Sequence, residues 1–200
     1  FVAVHDPFQP YSSQVNQEAA TTNVFYWANL HHDTLYGYGF DEGSGNFQST
    51  NYTGLGSPGD QLEIDIQDPD VICNSNILPE LEGVSPKMQL GFCNIALPPN
   101  IPGNQTTTDS ALNNHTIIHE ITHGVHERLV AGPNAPSSTI GGDTHIGAMG
   151  EGWGDWMALM FTQGDPTTDE MNDAYPYGGY TGEAFSGSGG RRFPYSHDLS

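Results

Sequence analysis

The chain has 200 residues and a mass of 21.6 kDa, the size of one domain or of one large piece of a bigger one. Acidic residues outnumber basic ones 24 to 4, for a net charge of −20, and such a surface repels phosphate backbones and anionic lipid, which excludes nucleic acid and membranes as natural partners. No apolar run approaches the ~20 residues of a membrane span, and an aromatic content of 10% argues against disorder.

Taken in chain order, residues 15–37 carry Ala19, Val24, Phe25, Ala28 and Leu35 at helical spacing and predict a first helix, stopped at Gly37-Tyr38-Gly39. Residues 40–60 read as a Gly/Ser/Asn-rich loop. Residues 61–66 (Gln-Leu-Glu-Ile-Asp-Ile) alternate polar and apolar, the pattern of a half-buried strand. Residues 68–86 read as loop, 87–92 as a second strand, and 94–108 as a Pro/Asn/Thr loop. Asp109-Ser110 offers an N-cap to a helix over 111–130, ended by Gly132-Pro133. A third helix is expected over about 148–162, before Gly164 and Pro166. Residues 165–200 show little periodicity. Strands first and helices later make the fold class α+β.

Cys73 and Cys93 bracket 19 residues, and an oxidising compartment would join them. Three Asn-x-Ser/Thr sequons, at Asn51, Asn104 and Asn114, are candidate glycosylation sites. Scarce lysine with many Asn, Gly, Ser and Thr points the same way, to a secreted protein. The chain opens at Phe1 without a charged-then-apolar leader, so a signal or pro-segment, if one existed, is expected to have been removed.

The sharpest chemical signal is His119-Glu120-Ile121-Thr122-His123. Residues four apart share one helix face, so both imidazoles can reach one zinc ion, and Glu120 beside the first can take a proton from zinc-activated water as general base. Two histidines leave zinc short of a protein ligand. Glu151 follows His123 by 28 residues and can supply it; Asp155, four residues further, can accept the other ring N–H of His119. A histidine six residues after His123 would be another third ligand, but Leu129 stands there. Other features carry plainer readings. His31-His32-Asp33 reads as a helix surface with one packed histidine rather than a relay. Asp60, Glu63, Asp65, Asp68 and Asp70 could bind calcium but lack EF-hand spacing, and a solvated acidic face is preferred. Trp153 and Trp156 read as core contacts of the third helix. The 87–92 strand is expected to line the cleft, with Gly91 leaving room for an extended substrate.

The segments His119–Gly124 (HEITHG), Arg128-Leu129, Gly132-Pro133 and Met149–Trp156 (MGEGWGDW) resemble fungalysin, a secreted fungal metalloendopeptidase family. So do 28–36, 39–40, 45–48 and 192–196. The zinc helices resemble thermolysin more distantly. The resemblance implies a secreted zinc endopeptidase acting on polypeptides, made with an inhibitory pro-domain. It implies ligands at His119, His123 and Glu151, with Glu120 catalytic. It further implies that residues 1–200 are the N-terminal part of a larger catalytic domain whose C-terminal helical half carries an oxyanion-stabilising histidine. The tyrosine that thermolysin-like enzymes place between the second histidine and the glutamate has no counterpart in 124–150, where only His126 and His145 could donate. The competing expectation is a zinc-binding chain that is a non-catalytic interaction module or one chain of a nicked two-chain enzyme.

Overall fold

A computed structural model describes residues 3–96, 105–135, 144–163, 174–178, 191 and 193–195. Helix α1 spans Gln14–Gly37. Its end is closed by Gly39 and Phe40 N–H groups donating to the Tyr36 and Leu35 carbonyls, and Leu35 packs on Phe40 beneath that turn. The strands are β1 Glu63–Ile66, β2 Ser75–Leu78, β3 Lys87–Leu90, β4 Phe92–Ala96 and β5 Gln105–Asp109. β1, β3 and β2 form a sheet in that order, β1 parallel and β2 antiparallel to β3. β4 and β5 pair as an antiparallel ribbon. Helices α2 (Asn114–Val130) and α3 (Thr144–Thr162) follow. The α+β expectation therefore holds, and no helix among the described residues is long and apolar enough to cross a membrane.

β2 and β5 are corrections, since both segments read as loop. β2 is Ser-Asn-Ile-Leu with one buried apolar side chain, Ile77, and β5 is Gln-Thr-Thr-Thr-Asp. Each is too short and polar to show a period, and the pairing with a neighbour supplies what the local pattern lacks. The start of α2 is a second correction. Asp109 caps a 3-10 turn, Ser110–Leu112, by accepting from the Ala111 N–H at 2.9 Å. Asn113 caps the helix itself, accepting from His115 and Thr116. The third helix begins at Thr144, a turn before its expected start. Most of the expected 165–200 loop lies outside the described residues.

The main core packs Ala20 and Val24 of α1 against Ile77, Met88 and Leu90 of the sheet and Ile117 and Ile121 of α2. That places α2 flat on the sheet, and α3 packs on another of its faces, where Ile118 meets Ala158. β3 is the central strand, with Met88 and Leu90 fully buried, so it does not line a cleft as expected. Gly91 answers to a different neighbour: a Cβ there would stand 1.6 Å from the Val71 carbonyl oxygen. The disulfide between Cys73 and Cys93 ties the residues leading into β2 to β4.

The last turn of α2 is held by one cation. Arg128 Nη1 donates to Asp60 Oδ2 at 3.0 Å and to the Gly45 carbonyl at 3.1 Å, Nε donates to the Glu80 carbonyl, and the guanidinium lies over Phe47. Asp60 is thereby consumed. Asp65 pairs with Lys87 at 2.6 Å, and Asp68 accepts from Gln89 and the Asp70 N–H. Three of the five carboxylates named for calcium thus have separate partners.

His31 is the packed member of His31-His32-Asp33. Its ring stacks on Phe161 at 5.1 Å and its Nε2 meets Thr122 Oγ1 at 3.3 Å. Burial, aided by neighbouring His32, lowers its pKa from 6.5 to about 3. A histidine with a depressed folded pKa contributes stability above its unfolded value and loses it as pH falls. Acidification from 6.5 towards about 3 is therefore expected to cost about 1.4 kcal/mol of stability per pH unit through this residue. Denaturant unfolding of wild type and His31→Gln across that window should show a shallower pH slope in the variant; equal slopes would contradict it.

Candidate metal centre

Helix α2 turns five polar side chains to one face. At 100° per residue, positions 119, 120, 123, 126 and 127 fall within an arc of about 120°, and all five line a cleft of about 630 Å³ between α2, β2 and α3. His119, Glu120 and His126 are nine-tenths buried or more. His119 Nε2 and His123 Nε2 stand 2.9 Å apart.

Glu151 arrives from α3. Its Oε2 lies 3.5 Å from His119 Nε2 and its Oε1 3.3 Å from His123 Nε2. Among the described residues these three side chains form a group able to hold a metal ion. Bonds of ~2.0–2.1 Å in tetrahedral geometry put ligand atoms ~3.3 Å apart, which the three separations bracket. Two imidazole lone pairs and a carboxylate converging on one point need a cation between them, so the donor set fits zinc.

Asp155 takes the position foreseen for it. Its Oδ1 lies 2.8 Å from His119 Nδ1, which marks Nε2 as the free nitrogen. In the metal-free protein this contact is a close ion pair rather than a well-formed hydrogen bond. Burial alone would depress the His119 pKa, but Asp155 and Glu151 carry it up to about 9 in the metal-free protein. Burial raises Asp155, yet His119, Arg191 and Tyr195 hold it at about 2. Hydrogen bonds to His119 and His123 hold Glu151 well below the carboxylate range. Glu120 moves the other way: burial raises it, against the opposing pull of His119 and His123.

Three residues of the site were not foreseen. Arg191 Nε and Nη2 donate to the two Asp155 oxygens at 2.5 and 2.6 Å, and Nη2 also reaches Glu151 Oε2 at 3.1 Å. Tyr195 O–H donates to Asp155 Oδ2 at 2.5 Å. Tyr177 is buried beside the His119 ring, under the Arg191 guanidinium. One signal was available: with 4 basic residues against 24 acidic ones, each cation is expected to be held by a carboxylate.

Several remaining expectations need correction or placement. Trp153 and Trp156 are 50% and 52% exposed, not core contacts, because α3 points Gly150 and Gly154 at α2 and the tryptophans away from it. His126 sits in the cleft wall, whereas His145 is exposed on the first turn of α3. Asn51 Nδ2 donates to the Leu55 carbonyl, Asn114 Oδ1 accepts from Asn23, and Asn104 lies outside the described residues.

Comparison with known proteins agrees with this geometry. The family model described as Fungalysin metallopeptidase (M36) matches residues 2–200. Extracellular metalloproteinase 1 of Arthroderma gypseum is 36% identical over 182 residues, covering 91% of this chain and 27% of the relative. Extracellular metalloproteinase 5 of the same organism is 34% identical over 196 residues, 96% of this chain and 28% of the relative. Extracellular metalloproteinase 5 of Trichophyton rubrum is 35% identical over 182 residues, 91% and 26%. The chain thus spans little more than a quarter of the length of these relatives.

Proposed function

Because the chain belongs to the fungalysin metallopeptidase family, we propose that it carries the metal centre of a secreted zinc endopeptidase that hydrolyses polypeptides. The observation that carries this reading is the convergence of His119 Nε2, His123 Nε2 and the Glu151 carboxylate within 2.9–3.5 Å on the floor of an open cleft. Relatives named as extracellular metalloproteinases support secretion.

In this reading His119, His123 and Glu151 hold the zinc. When bound, zinc supplies a Lewis acid for the scissile carbonyl and lowers the pKa of its water. Glu120 accepts a proton from the attacking water and returns it to the leaving amine. Asp155 fixes the tautomer and orientation of His119, and Arg191 and Tyr195 fix Asp155. β2 is an edge strand, and its Ser75 and Asn76, with Asn74 just before it, line the cleft. An extended substrate adds to that edge through main-chain hydrogen bonds, which present its carbonyl without close reading of side chains. The proposal includes a larger catalytic domain, of which residues 1–200 are one part, and an inhibitory pro-domain before activation; the fraction of each relative that the chain covers supports the first.

Metal analysis of the purified protein should find one zinc per chain, and a chelator should abolish proteolysis reversibly. His123→Ala should lose the metal. Undiminished zinc in that variant would refute the ligand assignment.

A further inference from the structure

The cleft-facing stripe of α2 continues past the metal ligands. His119-Glu120 is followed two turns later by a second His-Glu pair, His126-Glu127, on the same face. Nothing in the metal chemistry uses this second pair. His126 is 8% exposed, lines the cleft, and its Nε2 has no hydrogen-bond partner. An unpaired polar atom buried to that degree needs a partner from somewhere. Its ring packs against Gly150 of α3, where a Cβ would stand 3.2 Å from Nδ1, so the side chain cannot swing out in that direction.

Glu127 lies beside it, partly buried in the same cleft wall. The described basic side chains are engaged elsewhere: Lys87 with Asp65, Arg128 with Asp60, and Arg191 with Asp155 and Glu151. The Glu127 carboxylate therefore has no Lys or Arg counter-ion among the described residues, and burial raises its pKa. Ile146 and Gly147 at the start of α3 form the adjoining wall and add no charge. A carboxylate without a Lys or Arg partner among the described residues and an imidazole with an unpaired Nε2, side by side in a groove open to solvent, present two acceptors to whatever enters. The surrounding protein is strongly acidic, which concentrates cations there.

We propose that His126 and Glu127 form a substrate subsite that takes a lysine or arginine side chain of the polypeptide being cleaved, adjacent to the metal centre on the His123 side. The inference rests on the peptidase reading above and deepens it. An incoming ammonium or guanidinium donates to the Glu127 carboxylate and to His126 Nε2, and its aliphatic stem lies along Ile146. A glutamate at the same substrate position meets like charge and is disfavoured. The preference is a difference between two partners, made by attraction for one and repulsion of the other.

The test uses the natural full-length polypeptide and a set of fluorogenic peptides. They differ only in carrying Lys, norleucine or Glu at each position flanking the cleaved bond. Peptide hydrolysis (kcat/KM) is measured for the active protein, and peptide binding (Kd) for its zinc-loaded Glu120→Gln form. At one position Lys should exceed norleucine by ~10-fold and Glu should be the poorest, a size set by one partly desolvated ion pair. Glu127→Gln should erase most of the Lys advantage, and Glu127→Lys should reverse the order to favour Glu. Glu127 is partly exposed on the helix, so both variants should fold, which circular dichroism checks. An absent Lys preference, or one that survives Glu127→Lys, overturns the subsite. If no peptide is hydrolysed yet binding keeps the Lys-first order and inverts in Glu127→Lys, the subsite stands and the peptidase reading fails. Neither hydrolysis nor binding overturns both.

Discussion

Glu120→Gln should leave the bound metal intact and lower kcat by about 10²–10⁴-fold, the usual consequence of removing a general base. Glutamine fills the same volume and keeps the side-chain carbonyl, so the cleft is not reshaped. It cannot accept a proton, so the attacking water must shed its own to solvent. The side chain is well placed for the role. It stands next to His119 on α2, 8% exposed and lining the cleft, and makes none of the close contacts that join His119, His123, Glu151 and Asp155. Burial raises its pKa above the ordinary carboxylate value. The base must be ionised to work, so wild-type kcat/KM should fall with decreasing pH, and this limb should be missing from whatever activity the variant retains. Full zinc content with more than a tenth of wild-type kcat would remove Glu120 from the mechanism.

The centre of the site was readable because its chemistry is local. His119 and His123 lie one turn apart, as do Glu151 and Asp155, and a helix turns such spacings into faces without help from the rest of the chain. What surrounds the centre was not readable in the same way. Arg191 and Tyr195 reach Asp155 from 36 and 40 residues away, over a segment with no periodic signal. A backbone pairing of Tyr175 with Tyr195 helps bring that segment back. β2 was missed because a four-residue strand with one buried apolar side chain looks like loop until β3 pairs with it. Its position at the sheet edge then moves the cleft wall from 87–92 to 75–78. The acidic run 60–70 read as a solvated face, yet the fold buries Asp60 and Asp68 and gives Asp60, Asp65 and Asp68 separate partners.

The glycines of α3 carry the second large effect. Gly147, Gly150, Gly152 and Gly154 all lie within one helix, where each costs roughly 1 kcal/mol against alanine. Nothing lies within 4 Å of a Cβ built on Gly147 or Gly152. Gly152→Ala should therefore stabilise the protein by about 0.5–1 kcal/mol and leave metal binding unchanged. Gly154 differs. A Cβ there would stand 2.5, 2.8 and 2.9 Å from Nδ1, Cε1 and Cγ of His119. That ring is not a flexible tip. It is buried, held by Asp155 on one nitrogen and turned towards His123 and Glu151 on the other. Relief requires either rotating His119 out of the ligand set or moving α3 away from α2, and α3 carries both Glu151 and Asp155. Either response separates the two ring nitrogens from the Glu151 carboxylate, whose oxygens now stand 3.5 Å from His119 Nε2 and 3.3 Å from His123 Nε2. Gly154→Ala should weaken zinc binding by at least the ~10–100-fold expected of Asp155→Ala, which removes only the group orienting His119. Overpacking should also lower the unfolding free energy by ~1–3 kcal/mol. Competitive zinc titration of Gly152→Ala, Gly154→Ala and Asp155→Ala in parallel tests the ordering. Wild-type affinity in Gly154→Ala would mean that the close approach of α3 to His119 does not set the geometry of the centre.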